Sequence, residues 1–192
     1  MARRDLPVRA FKTAKAWETW LSRHDDAPGL WVRLAKRSAG RQSLTHREAV
    51  EGALCYGWID GQGKPYDDES WLVKFTPRKP NSIWSKINRA RASELVATGR
   101  MRPSGLASIQ RAKQNGRWVG AYDSHRTAVP PRDLTAALKK SAKARAFFET
   151  LNSQNRYAIL FRIQTAKRPE TRRARIERFV RMLARHRTLY PR

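Results

Sequence analysis

The chain is short of the residues that would settle its class at a glance. Its 192 residues include one cysteine, Cys55, which excludes a disulfide scaffold. Ten glycines and ten prolines are an ordinary share, so collagen-like and low-complexity chains are excluded. No apolar run approaches the roughly 18 residues a membrane-spanning helix needs. After the basic start Met1-Ala2-Arg3-Arg4-Asp5, no continuous apolar stretch precedes the amphipathic segment Thr13–Arg23. No secretory leader is therefore read, and a cytoplasmic location is expected. Walker and dinucleotide fingerprints are missing, as are helix-turn-helix, RNA-reading and OB signatures. The four histidines, His24, His46, His125 and His186, are scattered, with no second ligand at zinc spacing. Asp67-Asp68-Glu69 lacks EF-hand spacing and reads as a solvated hairpin tip. No metal and no cofactor are expected.

Acidic residues are scarce too. Sixteen Asp+Glu face 41 Lys+Arg, for a net charge of +25. Such an excess sits in solvent and draws anions. It also fits an arginine-rich composition with non-specific adhesion to nucleic acid. Residues 131–192 hold 17 basic and 4 acidic residues, about twice the charge density of the rest.

What is present is enough for a core: 40% hydrophobic residues and seven tryptophans. Residues 1–12 read as a loose arm. Thr13 caps a helix over about 13–24 that carries Trp17, Trp20 and Leu21. Leu30, Val32 and Leu34 alternate as a strand. Thr45-His46-Arg47-Glu48 is a capping box, opening a helix that stops at Gly57. Trp58–Gly61 and Trp71–Phe75 read as a hairpin closed by Pro77 and Pro80. Ser82 is expected to cap a helix bearing Ile83, Ile87, Leu95 and Val96. Pro103 opens another, closed by Gly116. Residues 123–131 read as a linker. Ser141, Ser153 and Pro169 mark further helix starts. The reading is an α+β fold: a small antiparallel sheet of three to five strands packed by helices over 1–125, then a basic helical domain of three to four helices over 132–192.

The string Glu48-Ala49-Val50-Glu51-Gly52-Ala53-Leu54-Cys55-Tyr56-Gly57-Trp58-Ile59-Asp60-Gly61-Gln62 is followed by Asp67-Asp68-Glu69-Ser70, Phe75-Thr76-Pro77-Arg78 and Ser82-Ile83-Trp84-Ser85-Lys86-Ile87-Asn88. With Arg100–Leu106, Phe147-Phe148 and Thr165–Arg172, these segments resemble the YdeI/OmpD-associated, bacteriocin-protection family, over roughly 10–187. The resemblance implies a role in bacterial resistance to membrane-active peptides or envelope stress. It brings no catalytic residue and no cofactor. Some members are periplasmic. The layout is also similar to small bacterial α+β domains of the YdhG/YjbR sort, an analogy of fold that licenses no function.

Three groups of residues carry candidate chemistry. Tyr56, Trp58, Phe75 and Trp84, beside Asp60, Arg78, Ser82, Ser85 and Lys86, either line an aromatic–basic pocket for an anionic ligand or an acidic partner segment, or fill the seam between sheet and helices. Asp60 either pairs with Arg78 or Lys86, accepts amide bonds as a turn carboxylate, or serves as a ligand-binding or acid–base carboxylate. Arg172, Arg173, Arg175 and Arg178 either form a polyanion patch or are simply solvated. Cys55 reads as a buried, inert thiol. The expected function is a non-enzymatic stress-resistance protein binding an anionic ligand or acidic partner. The alternatives are a nucleic-acid-binding protein using the basic C-terminal helices and an enzyme with Asp60 as general acid or base.

Overall fold

The computed structural model describes residues 5–40 and 42–191, so the basic start at Met1–Arg4 lies outside the described residues. The described elements run β1 (Val8–Ala10), α1 (Ala14–Ser22), β2 (Leu30–Ala35), α2 (His46–Cys55), β3 (Trp58–Pro65), β4 (Ser70–Pro77), α3 (Lys86–Ala97), α4 (Pro103–Gln114), α5 (Arg132–Lys139), α6 (Ala142–Glu149), α7 (Ser153–Gln164) and α8 (Pro169–Ala184). Two compact units result. One holds the residues up to Trp84 with Asn88–Val119, the other Ser85–Ile87 with the residues from Gly120 on.

The fold is α+β, built on a four-stranded sheet of order β1-β2-β4-β3. The two antiparallel pairings are β2 with β4 and β3 with β4. The third pairing corrects the loose-arm reading of residues 1–12: Val8, Arg9 and Ala10 pair in parallel with Trp31, Val32 and Arg33, making the sheet mixed. Three exposed residues carry too little alternation to be read as a strand. The hairpin is longer than its apolar runs, because a bulge between Asp60 and Gly63 lets β3 continue through the polar residues to Pro65.

Local chemistry sets the helix starts. The Thr13 hydroxyl accepts from the Ala16 amide, and Thr45 with Glu48 closes the capping box. Ser141 caps α6. α7 is capped by Asn152, one residue before the expected Ser153. Ser82 is not a helix cap: its hydroxyl accepts from the Lys79 amide in a turn, and α3 starts only at Lys86. Ile83, Ile87 and Val96 are exposed, while α3 buries Leu95, as expected, together with Ala92.

The first unit's core is a ring cluster beneath Leu30, Val32 and Leu34 of β2. Trp17 is fully buried, and its indole donates to the Ala49 carbonyl at 2.9 Å. Its ring lies 5.5 Å from Phe75, 5.6 Å from Trp20 and 6.5 Å from Trp58. α2 and α4 approach closely, because Gly105 leaves room for the Cys55 and Leu54 carbonyls. The second unit has its own core of Leu134, Leu138, Phe148, Ile159, Leu160, Ile163, Ile176, Phe179 and Leu183. Its C-terminal segment is held by Asn155, which is buried and exchanges two hydrogen bonds with the Tyr190 main chain, at 2.9 and 3.0 Å.

Candidate functional site

Of the residues expected to line one aromatic–basic hollow, Arg78, Ser82 and Trp84 line a common recess. Trp58 and Phe75, 2% and 0% exposed, belong to the ring cluster around Trp17. They fill the core, as large apolar rings do when a helix covers a small sheet. Arg78, Ser82 and Trp84 do come together. The Arg78 guanidinium carbon lies 3.7 Å from the centre of the Trp84 ring, and Nη1 donates to the Ile83 carbonyl at 3.3 Å. Trp84 also packs edge-on against Trp118 at 5.0 Å. The recess these residues share with Ser108, Arg111 and Ala112 measures only ≈ 10 Å³, room for about one water. Tyr56 is half-buried at the end of α2. Ser85 and Lys86 belong to the second unit, where Ser85 bridges Tyr122 and the Lys86 ammonium lies 2.8 Å from Asp123 Oδ1. The arrangement is that of a stacked cation–π joint rather than an open hollow.

Asp60 has neither of the partners expected for it. Asn88 Nδ2 donates to Oδ1 at 3.4 Å, and His46 Nε2 stands 4.0 Å from Oδ2. His46 opens α2 and lies 5.5 Å from the Trp71 ring. Its side chain is 43% exposed, and the partial burial of the ring pushes its pKa below the ordinary 6.5. The nearby Asp60 carboxylate works against that shift and Arg91 adds to it. At neutral pH this histidine is therefore an uncharged imidazole beside a carboxylate. Cys55 is buried, and burial pushes its thiol up to about 11, so it stays protonated and unreactive.

The four arginines expected to meet a polyanion divide evenly. Arg172 turns inward: Nε donates to Asp133 Oδ2 at 2.6 Å and Nη1 to the Ile163 carbonyl at 3.0 Å. Arg175 turns inward as well, donating to the Arg162 carbonyl. Arg173 and Arg178 are exposed. The sequence offered no way to separate the two pairs, since the difference lies in which carbonyls and carboxylates α5 and α7 present to α8.

An open concavity lies wholly within the second unit. α5 and α8 border a groove of ≈ 740 Å³ whose lining includes Ala136, Ala137, Ile176 and Val180. Lys140, Arg172, Arg173 and Arg181 bring positive charge to it, Asp133 and Glu177 negative. Asp133 is tied to Arg172, which holds its carboxyl below the usual range. Among the described residues, Lys140 and Arg173 meet no carboxylate. Sequence reading missed the groove. Its one signal is the pair Ala136-Ala137, two small side chains that leave space beside a longer helix.

Two family models match the chain. Residues 9–108 match a domain of unknown function, DUF8412. Residues 127–186 match the family described as bacteriocin-protection, YdeI or OmpD-associated. The motif-bearing stretch 48–88 thus falls under the first and the groove under the second. No curated protein and no solved structure matches the chain. The chain belongs to the DUF8412 family, and its residues 127–186 match the YdeI/OmpD-associated, bacteriocin-protection family.

Proposed function

We propose that this is a non-enzymatic bacterial stress- or bacteriocin-resistance protein that captures an acidic, amphipathic segment of a partner protein in the groove between α5 and α8. The resistance role rests on the family match over residues 127–186, the segment that builds the groove. The binding mode rests on one observation: an apolar groove of ≈ 740 Å³ carries free basic side chains at its border. That size lies within the range of about 300–1,000 Å³ common for ligand sites. Apolar side chains of a helix seat against Ala136, Ala137, Ile176 and Val180, while its carboxylates meet Lys140 and Arg173. Charge favours an acidic occupant, since a second copy would bring +25 against +25.

The test uses a fluorescein-labelled helical peptide with leucines on one face and glutamates on the other, titrated with the full chain in an anisotropy assay. Ala136 is exposed, so Ala136→Phe fills the groove without disturbing the core. The expected result is an at least tenfold weaker affinity for Ala136→Phe and for the scrambled peptide. Equal affinity in all three combinations would mean that diffuse charge alone holds the peptide.

A further inference from the structure

We infer that α7 carries a second binding site, a groove that takes a small planar aromatic carboxylate. Two stripes of the helix face it. Ser153, Tyr157 and Phe161 follow at four-residue spacing on one stripe, and Gln154, Ala158 and Arg162 do so on the next. Ala158 is the small member among longer side chains, and the groove beside it measures ≈ 680 Å³. That volume suits a small molecule rather than a single ion. No lining residue is shared with the α5–α8 groove, so the site stands or falls independently of the proposed function.

Tyr157, Phe161 and Tyr190 bring three aromatic rings to the groove. The Tyr157 ring lies 5.8 Å from Phe161 and 6.2 Å from His125, which also borders the groove. Its hydroxyl donates to the Asp123 carbonyl at 3.0 Å, and the Asp123 amide donates to Gln164 Oε1 at 2.9 Å. These bonds tie the segment bearing His125 to α7 and leave the Tyr157 ring, not its hydroxyl, to meet a ligand. Tyr190 is 43% exposed, yet its main chain exchanges two hydrogen bonds with the buried side chain of Asn155. A buried amide is thus spent on holding an exposed ring in place. Rings fixed in advance lose little freedom when a ligand stacks on them.

Arg162 sets the charge. Its Nη1 donates to the Ala158 carbonyl at 3.0 Å and its Nη2 to the Tyr190 hydroxyl at 3.3 Å, which places the guanidinium between two lining residues. Its central carbon lies 5.8 Å from the Tyr190 ring. No carboxylate lines the groove, and Arg162 meets none among the described residues. The Asp123 carboxylate, on the segment tied to Tyr157, is already paired with Lys86 at 2.8 Å. A half-buried guanidinium without a counter-charge favours an anion, and its remaining N–H groups suit a carboxylate. The rings supply apolar contact area and Arg162 fixes the orientation, so the ligand joins a flat ring to an acid group.

Isothermal titration of the full chain at pH 7.5 in 150 mM salt tests this with three probes: 2-naphthoate, its neutral analogue 2-naphthamide and the non-planar acid cyclohexanecarboxylate. Saturable binding of one equivalent of 2-naphthoate is expected, with each of the other two at least tenfold weaker. Arg162→Gln should bring 2-naphthoate down to the affinity of 2-naphthamide and leave the latter within about twofold. Tyr190→Ala should weaken both naphthalene probes and keep the preference for the charged one. Arg145→Gln, at an exposed arginine on α6, should change the affinity less than twofold. Absence of saturation by 2-naphthoate, a charge preference that survives Arg162→Gln, or an equal loss in Arg145→Gln overturns the proposal. Cyclohexanecarboxylate bound as tightly as 2-naphthoate would do so as well, by showing that charge alone is read.

Discussion

At the scale of single residues, the clearest case is a side chain whose surroundings oppose each other. His46 sits beside a carboxylate, yet the partial burial of its ring outweighs that attraction and depresses its pKa. The unfolded chain, with a histidine near 6.5, therefore binds the proton more readily than the folded one. Stability then rises with pH between the folded and unfolded values and is lost as pH falls through 6.5. In urea titrations at pH 7.5 and pH 5, wild type should lose more stability on acidification than His46→Gln. An equal or larger loss in the variant would mean that the attraction of Asp60 prevails and the imidazolium is the favoured form. The same pair bears on the acid–base reading of Asp60. A 4.0 Å separation is too long for a hydrogen bond, and Asn88 Nδ2 takes the other oxygen at 3.4 Å.

At the scale of elements, the sequence was most legible where a side chain acts on its own backbone. The Thr45–Glu48 capping box, the Thr13 and Ser141 caps and the alternation of Leu30, Val32 and Leu34 all depend on residues a few positions apart. Pairings across the chain were not legible. Val8–Ala10 becomes a strand only because β2 offers it an edge, and α3 starts late because Ser82 is engaged with Lys79. The α2–α4 contact is another long-range feature. A Cβ on Gly105 would collide with the Cys55 and Leu54 carbonyls, which belong to backbone and cannot swing aside. Overpacking of this kind costs roughly 1–3 kcal/mol. Replacing a helical glycine by alanine returns about 1 kcal/mol. Gly105→Ala should therefore lower the urea midpoint; an unchanged or raised midpoint would show that the two helices can move apart freely.

At the scale of the whole molecule, charge and burial decide which candidate surfaces remain. Both candidate readings of the aromatic set were open in the sequence, because Trp58, Phe75 and Trp84 suit a pocket wall and a core equally well. Burial separates them: Trp58 and Phe75 close over Trp17, and Arg78 stacks on Trp84 around a space of ≈ 10 Å³. The positive surplus concentrated after residue 131 retains its significance in another form. Half of the arginines singled out there hold the second unit together, and others border open surface. No helix among the described residues is long and apolar enough to cross a membrane.

The most direct measurement is a titration of the isotope-labelled full chain with the leucine–glutamate peptide, followed by amide chemical shifts. Perturbations should saturate together and cluster on α5 and α8 around Ala136, Ala137, Ile176 and Val180. Shifts spread over exposed arginines of both units, or centred on Arg78 and Trp84, would contradict the account.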